Sequence, residues 1–456
     1  MTDLSALVKA YDVRGTVPDQ LDERVARALG AAFAEVVAVP EAAERVVLGR
    51  DMRESGVALS AAFADGVLER GVDVVDVGLA STDLLYYASG AFQVPGAMFT
   101  ASHNPAGYNG VKLCRAGARP IGRESGLDDV RDRAQALLAG MLLPPAARRG
   151  VRTERDVLGD YAAHLHALVP GLADLRPLAV VVDAGNGMAG RTVPAVLGGL
   201  PVRVVPMYFE LDGSFPNHEA NPLEPANTED LRRRVVAEGA DAGLAFDGDA
   251  DRCFVVDERG RTVSPSAVTA LVAERALRAQ PGATVLHNLI TSRAVPEVVR
   301  EAGGTPVRTR VGHSYIKAEM ARTGAVFAGE HSGHFYFREF WNADSGMLAA
   351  LHVLAALGAQ PGPLSQLLAP YERYAASGEV NSTVADPVGC LRRLRERYDA
   401  HPQDQLDGLT VDLGDGTWFN VRASNTEPLV RLNVEAPDDA TVSAVRDEVL
   451  ALVRSA

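Results

Sequence analysis

Lysine is nearly absent from this chain: Lys9, Lys112 and Lys317 are the only three, against 42 arginines among its 45 basic residues. A bias of this kind reflects a coding preference for arginine. A lysine that persists against it marks a place where a compact ammonium able to lose its proton serves and a planar guanidinium does not. The plainer alternative is three ordinary surface lysines. Cysteine is equally scarce. Cys114, Cys253 and Cys390 are odd in number and far apart, which argues against a disulfide framework and for a reducing cytoplasm. No apolar run reaches the roughly 18 residues of a membrane helix. The opening MTDLSALVKAYDVRG carries acid early and has no apolar signal core, so export is not expected. A net charge of -14 argues against a nucleic-acid binder built on a broad basic surface.

What is present is ordinary for a globular protein: 456 residues, 47 % hydrophobic and 23 % charged, too long for a single core. Apolar strand-like runs alternate with Ala/Leu/Arg-rich helical stretches. RVVLGRD (45–51), VDVVDVGLAS (72–81) and GAMFTAS (96–102) read as strands, with a helix over 55–71. The pattern restarts at LAVVVDAGNG (178–187), followed by strands at 202–209 and 241–249. It restarts again at ATVLHNLI (283–290), with a helix at 314–322 and a strand at 325–330. Breaks with linker chemistry fall at 142–150, 257–266 and 357–374, after which short alternating strands take over. The expected architecture is α/β: domains over 1–150, 151–256 and 257–368 with mixed sheets, and a small α+β domain over 369–456.

Four motifs carry chemistry. In DGDADRC (247–253), carboxylates at alternate positions after a buried-looking strand turn to one side, a hard-oxygen site suited to Mg²⁺. The ligands are Asp247, Asp249 and Asp251, and Arg252 adds a fork for phosphate or carboxylate. Arg252 replaces the glycine that an EF-hand needs, so that reading fails; a solvated acidic turn is the bland alternative. In GEHSGHFYF (329–337), Glu330 and Ser332 suit sugar hydroxyls, and His334 can give or take a proton. In VRASNTEPLVRLNVEA (421–436), Ser424, Asn425 and Thr426 form a turn able to surround a phosphate, flanked by Arg422 and Arg431. An undecorated hairpin is the competing reading there.

The fourth, TASHNPAGYNGVKL (100–113), sets Ser102 beside His103. An acyl-transfer triad is not expected, because neighbours on an extended strand face opposite ways and no GxSxG elbow exists. With a Mg²⁺ site and an anion-binding turn elsewhere, Ser102 suits phosphoryl transfer. GxGxxG at Gly185, Gly187 and Gly190 after a strand supports a rival NAD-dependent oxidoreductase, or a simple tight turn. A non-enzymatic sugar-phosphate sensor is a further alternative. His164 and His166, two apart on a helix, face different ways and are not expected to be ligands.

TASHNP with YNGVK, DGDADR, GEHSGH and RASNTEP, in this order, resemble the loops of the α-D-phosphohexomutase superfamily, and KAYDVRG resembles its opening segment. The resemblance covers nearly the whole chain. It implies three α/β domains and a smaller fourth around a central cleft. It implies that Ser102 carries a phosphoryl group and that a phosphoserine oxygen joins the three aspartates on Mg²⁺. The phosphoryl passes to a hexose phosphate, giving a hexose 1,6-bisphosphate (intermediate and activator) that turns round and returns its other phosphoryl. By the same resemblance Lys112 is the candidate general base, and His103 and Arg14 orient the phosphoserine. Glu330 and Ser332 grip the 3- and 4-hydroxyls, while Tyr11, His313 and Lys317 line the substrate site. The partner is a small phosphosugar, with neither nucleic acid nor membrane expected, and the enzyme is a monomer or homodimer. His331 and Phe254 resemble bacterial phosphomannomutases, so mannose phosphates are the expected substrates with glucose phosphates as further candidates; phosphoglucosamine mutase is the alternative. HNLITSRAV (287–295) lacks a lysine that relatives often place there for the substrate.

Overall fold

Valine-rich runs without alternation, such as Leu178–Asp183, need cover on both faces, and helices supply it. The computed structural model describes residues 3–9, 11–423 and 429–454, with backbone alone at 313 and 314. Two compact units emerge: Met1–Val263 with Ser332–Gln366, and Ser264–His331 with Leu367–Ala456.

The first unit holds a sheet made from β1 (Val13–Thr16), β2 (Arg45–Arg50), β3 (Asp73–Leu79), β4 (Gly96–Phe99), β5 (Tyr108–Arg115), β6 (Arg119–Pro120) and β7 (Arg152–Glu154). Its order is β1-β5-β4-β2-β3-β7, with β6 on β5. The β4-β2-β3-β7 pairs are parallel and the β1-β5-β4 pairs antiparallel. Leu48, Phe63, Phe99 and Val111 are among the side chains of its core. A second sheet follows from β8 (Leu178–Asp183), β9 (Val202–Met207), β10 (Ala242–Phe246) and β11 (Cys253–Asp257), in the order β11-β10-β8-β9 with only β10-β11 antiparallel. The sheets are mixed, as expected from sequence.

In the second unit, β12 (Thr284–Asn288) lies between β13 (Thr305–Thr309) and β14 (Phe327–Gly329), parallel to both. The hairpin of β15 (Phe335–Phe337) and β16 (Ala343–Asp344) belongs to the first unit. Residues 257–368, read from sequence as one segment, therefore contribute to both units. The second unit also holds β17 (Ala375–Thr383), β18 (Gln403–Asp404), β19 (Leu409–Gly414), β20 (Thr417–Ala423) and β21 (Leu429–Ala436), an antiparallel sheet in the order β17-β21-β20-β19-β18. Alternation puts Phe419, Val421, Leu432 and Val434 into its core.

One local reading differs from the chain. GAMFTAS is strand only to Phe99, because Thr100 Oγ1 accepts from Ser102 N and turns the backbone. The break read at 257–266 holds a tight turn and then Ser264, which caps the helix Pro265–Ala279, and the first unit passes to the second there, between Val263 and Ser264. YNGVKLCR is β5 and is buried along most of its length. Among the described residues no helix is long and apolar enough to cross a membrane.

Candidate active site

The serine loop and the aspartate loop meet in the first unit. Ser102 sits at φ 49°, a left-handed conformation that bends the chain out of β4. That bend overturns the strand argument for separating Ser102 from His103: Ser102 Oγ lies 3.2 Å from His103 Nδ1. Arg252 Nη2 donates to the same Nδ1 at 2.6 Å, so this nitrogen accepts and carries no proton. Burial, then the charges of Arg252 and Arg14, drive the His103 pKa down to about 2. His103 is therefore an uncharged hydrogen-bond acceptor.

The aspartate loop closes the β10-β11 hairpin, with Ala250 at φ 58°. Asp247, Asp249 and Asp251 are all buried, each with a carboxylate oxygen within 4.8 Å of the others'. Asp247 Oδ2 accepts from Ser102 Oγ at 2.7 Å and from Arg252 Nε at 2.9 Å. Lys112 Nζ spans the other two, 2.7 Å from Asp249 Oδ2 and 2.6 Å from Asp251 Oδ2. Thr82 Oγ1, in the first turn of a helix capped by Ser81, donates to Asp249 Oδ2 at 2.6 Å. Asp249 Oδ1 and Asp251 Oδ1 are buried with no hydrogen-bond partner among the described residues. Two orphaned carboxylate oxygens beside a third carboxylate suit a hard divalent cation, and the donor set fits Mg²⁺. Burial, with repulsion from Asp249 and Asp251, raises Asp247 to about 7 although Arg252 opposes it.

Lys112 departs from its expected role. Burial works against its charge, but the Asp249 and Asp251 carboxylates outweigh that and raise its pKa well above the usual lysine value. Ion-paired in this way it keeps its proton, which suits a donor rather than the general base expected from sequence. Of the three lysines, Lys112 and Lys317 are buried; Lys9 is exposed and donates to Ala6 O.

His334 is bridged through its backbone to Arg252. Its Nδ1 lies 3.0 Å from Asp344 Oδ2 and 3.9 Å from Asp251 Oδ1. Burial lowers its pKa, but Asp251 and Asp344 outweigh it and the net shift is upward. Arg14, on β1 opposite Gly110, reaches Asn104 Oδ1 and Asp12. Tyr11 is half-buried just before β1, and Ser332 is half-buried in the turn before β15.

Two glycines explain the GxGxxG match. A Cβ on Gly248 would stand 2.6 Å from the Ser102 carbonyl, and one on Gly187 would stand 2.7 Å from the Gly248 carbonyl. Met188 N donates to that Gly248 carbonyl at 2.9 Å. The glycine turn thus packs protein backbone, not a pyrophosphate, behind the aspartate loop. Asp183 is engaged by Gly185 N and His218, and Pro194 lies inside the short helix that follows, Ala189–Leu197. The dinucleotide reading has no room left.

Several residues at the site carry no motif. Arg53, 1 % exposed, donates to the carbonyls of Ser102, Asn104, Pro105 and Tyr108 and to Asp51, and so holds the serine loop from behind. Phe215 stacks on its guanidinium at 5.1 Å. Asp344 orients His334, and Thr82 supports Asp249. A lone aspartate in FWNADSG and the DMR of GRDMRES were the only traces in the sequence.

In the second unit Glu330 is buried just past β14. Its Oε1 accepts from Asn288 Nδ2 and Gly312 N, both at 3.2 Å, while Thr291 Oγ1 steadies Asn288 Oδ1 at 2.7 Å. Asn288, at the end of β12, is what this chain offers beside Glu330 in the stretch without a lysine. Lys317 is buried on the helix His313–Thr323. Arg422 and Arg431 are direct cross-strand partners on β20 and β21, both ion-paired with Glu379. The His313 side chain, Ser424, Asn425 and Thr426 lie outside the described residues.

Known proteins carry the same design. Four domain descriptions match in succession: phosphoglucomutase/phosphomannomutase alpha/beta/alpha domain I over 5–137, domain II over 160–260, domain III over 264–374 and the C-terminal domain over 379–452. A protein named phosphohexose mutases from Xanthomonas campestris pv. campestris is 42 % identical, across 96 % of this chain and 97 % of its own. A phosphomannomutase of Escherichia coli K12 is 39 % identical, across 97 % of both chains. The crystal structure of a phosphoglucomutase/phosphomannomutase family protein from Burkholderia thailandensis superposes with a TM-score of 0.88 at 33 % identity, covering 100 % of this chain and 98 % of that one. The chain belongs to the phosphoglucomutase/phosphomannomutase family.

Proposed function

We propose that this enzyme interconverts hexose 1-phosphate and hexose 6-phosphate, with mannose phosphates preferred and glucose phosphates also accepted. The observation that carries the reading is a serine hydroxyl 2.7 Å from Asp247, beside two buried carboxylate oxygens that lack a hydrogen-bond partner among the described residues. In the phosphorylated enzyme the Ser102 Oγ–P bond breaks as a sugar hydroxyl oxygen bonds to phosphorus, giving the 1,6-bisphosphate. The hydroxyl's proton leaves to an acid/base group, and we assign that task to His334, which Asp344 orients. The other phosphoryl then returns to Ser102 and the product leaves. Arg14, His103 and Arg252 position the transferring group, and the Lys112 ammonium offsets its charge. Asp247, Asp249, Asp251 and Ser102 would hold Mg²⁺, whose charge would stabilise the phosphoryl oxygens.

In the second unit Glu330 serves hydroxyl recognition. Arg422, Arg431, Ser424, Asn425 and Thr426 serve the phosphate that is not transferred. Ser332, Tyr11, His313 and Lys317 contribute to substrate binding. The domain divisions near 150, 256 and 368, a monomeric or homodimeric state and a cytoplasmic location belong to the same proposal; three cysteines, odd in number and far apart in sequence, support a reducing compartment.

A coupled assay on mannose, glucose and glucosamine 1-phosphates, with Mg²⁺ and a hexose 1,6-bisphosphate, tests it. Turnover fastest on mannose 1-phosphate and abolished by Ser102→Ala is expected. Preference for glucosamine 1-phosphate would make the enzyme a phosphoglucosamine mutase, and no turnover on any of the three would overturn the proposal.

A further inference from the structure

Arg422 and Arg431 face each other across β20 and β21 on the side of the sheet away from the core. Like charges directly opposite on an antiparallel pair repel, so the pair calls for an anion. Glu379 of β17 supplies one. Its Oε2 lies 2.6 Å from Arg422 Nη2 and its Oε1 lies 3.3 Å from Arg431 Nη1.

The placement of Glu379 is built into the strand. Ala376 is opposite Glu435 and Glu379 is opposite Asn433, so β17 spends three steps where β21 spends two. Gly378, at φ +65°, takes the bulge. Since side chains alternate, one extra residue exchanges the faces of everything that follows. Without the bulge residue, the carboxylate would point at Leu432 and Val434; with it, Glu379 lies diagonal to Arg431 on the arginine face. Even so, Glu379 does not saturate the pair. Arg422 Nε and Arg431 Nε are buried with no hydrogen-bond partner among the described residues. Two guanidiniums and one carboxylate leave a net single positive charge with donors to spare, where the arginines alone would present two.

We propose that Glu379 is a resident counter-anion that weakens the grip of Arg422 and Arg431 on the phosphate that is not transferred. This inference rests on reading those arginines as phosphate ligands. The proposed reaction makes opposite demands on such a site. It must hold the phosphate of either monophosphate, yet release a bisphosphate so that it can turn round within one catalytic cycle. A doubly positive site meets the first demand too well. Glu379 leaves the phosphate dianion attracted but exchangeable, and keeps the two forks from splaying apart.

Calorimetric titration of the full chain with inorganic phosphate, beside steady-state kinetics on mannose 1-phosphate, tests this. Arg422→Gln identifies which binding component belongs to the pair. E379Q, nearly isosteric, is expected to tighten that component about threefold to tenfold, the reach of one partly exposed charge. KM and kcat should fall together, and both effects should shrink with added salt. E379A must tighten binding in the same direction, which guards against an effect peculiar to glutamine. If Arg422→Gln weakens phosphate binding while E379Q weakens it or leaves it unchanged, Glu379 is only an orienting group and the inference fails. If Arg422→Gln leaves phosphate binding intact, the reading of the arginine pair fails and the inference with it.

Discussion

Replacing Arg53 by lysine keeps a positive charge and an apolar stem but removes the geometry of the fork. Arg53 makes five side-chain hydrogen bonds, to the carbonyls of Ser102, Asn104, Pro105 and Tyr108 and to Asp51. An ammonium has three N–H donors, so at least two of these acceptors lose their partner. At about 1–3 kcal/mol for each buried acceptor left unsatisfied, R53K costs about 2–6 kcal/mol. Water reaches this position poorly, since Arg53 is 1 % exposed. The orphaned carbonyls therefore recover partners chiefly by moving, and they belong to the loop that carries Ser102. A displacement on the order of 1 Å at a reacting group costs about 100-fold in rate. R53K should thus lower kcat in the coupled assay by about 100-fold and slow phosphoryl uptake by Ser102, measured by intact mass after mixing with glucose 1,6-bisphosphate. R53M should be less stable again, because Asp51 is left as a buried charge without its partner. If R53K stays within about 0.5 kcal/mol of wild type in urea unfolding and within about twofold in kcat, the serine loop does not depend on this clamp.

Gly248→Ala places a methyl 2.6 Å from the Ser102 carbonyl and must push the two loops apart; kcat should fall about 100-fold while circular dichroism stays unchanged. Asn288→Leu removes one donor to Glu330 Oε1 and should raise KM for mannose 1-phosphate about threefold to thirtyfold with a smaller change in kcat. A substrate lacking the hydroxyl that Glu330 binds should show no such penalty. His218 is pushed upward: burial opposes its charge, but the hydrogen bond and charge of Asp183 outweigh it. That contribution to stability is fully present below the ordinary histidine pKa of about 6.5 and is lost as pH rises through the higher folded value. Urea unfolding of wild type and His218→Gln across pH 5 to 9 should show their difference narrowing with rising pH; a difference that does not change would refute it.

The sequence made the reactive loops legible because their chemistry is local. DGDADR places three carboxylates within a few residues, and the hairpin has only to close for their oxygens to converge. The α/β character was equally local, since unalternating runs such as LAVVVD need cover on both faces. What stayed hidden depends on contacts between distant residues. Arg53 reads as one arginine among 42 until its guanidinium is found against four carbonyls some 50 residues later in the chain. Glu379 faces Arg422 only because a bulge at Gly378 changes the register, and no periodicity shows that beforehand. The contact between Ser102 and His103 was missed because alternation was applied to residues that the strand had already left. Lys112 was singled out for its rarity, and its place on β5 accounts for its burial. Its charge state followed from Asp249 and Asp251, two residues that lie more than a hundred positions away.

The most direct test of the account is the fate of one phosphoryl group. Wild-type enzyme mixed with Mg²⁺ and glucose 1,6-bisphosphate should gain a single phosphate, mapped by peptide fragmentation to Ser102, and should lose it on addition of mannose 1-phosphate as bisphosphate appears. Ser102→Ala should take up none and turn over no substrate. Turnover that survives in Ser102→Ala, or a phosphate that maps elsewhere, would contradict the account.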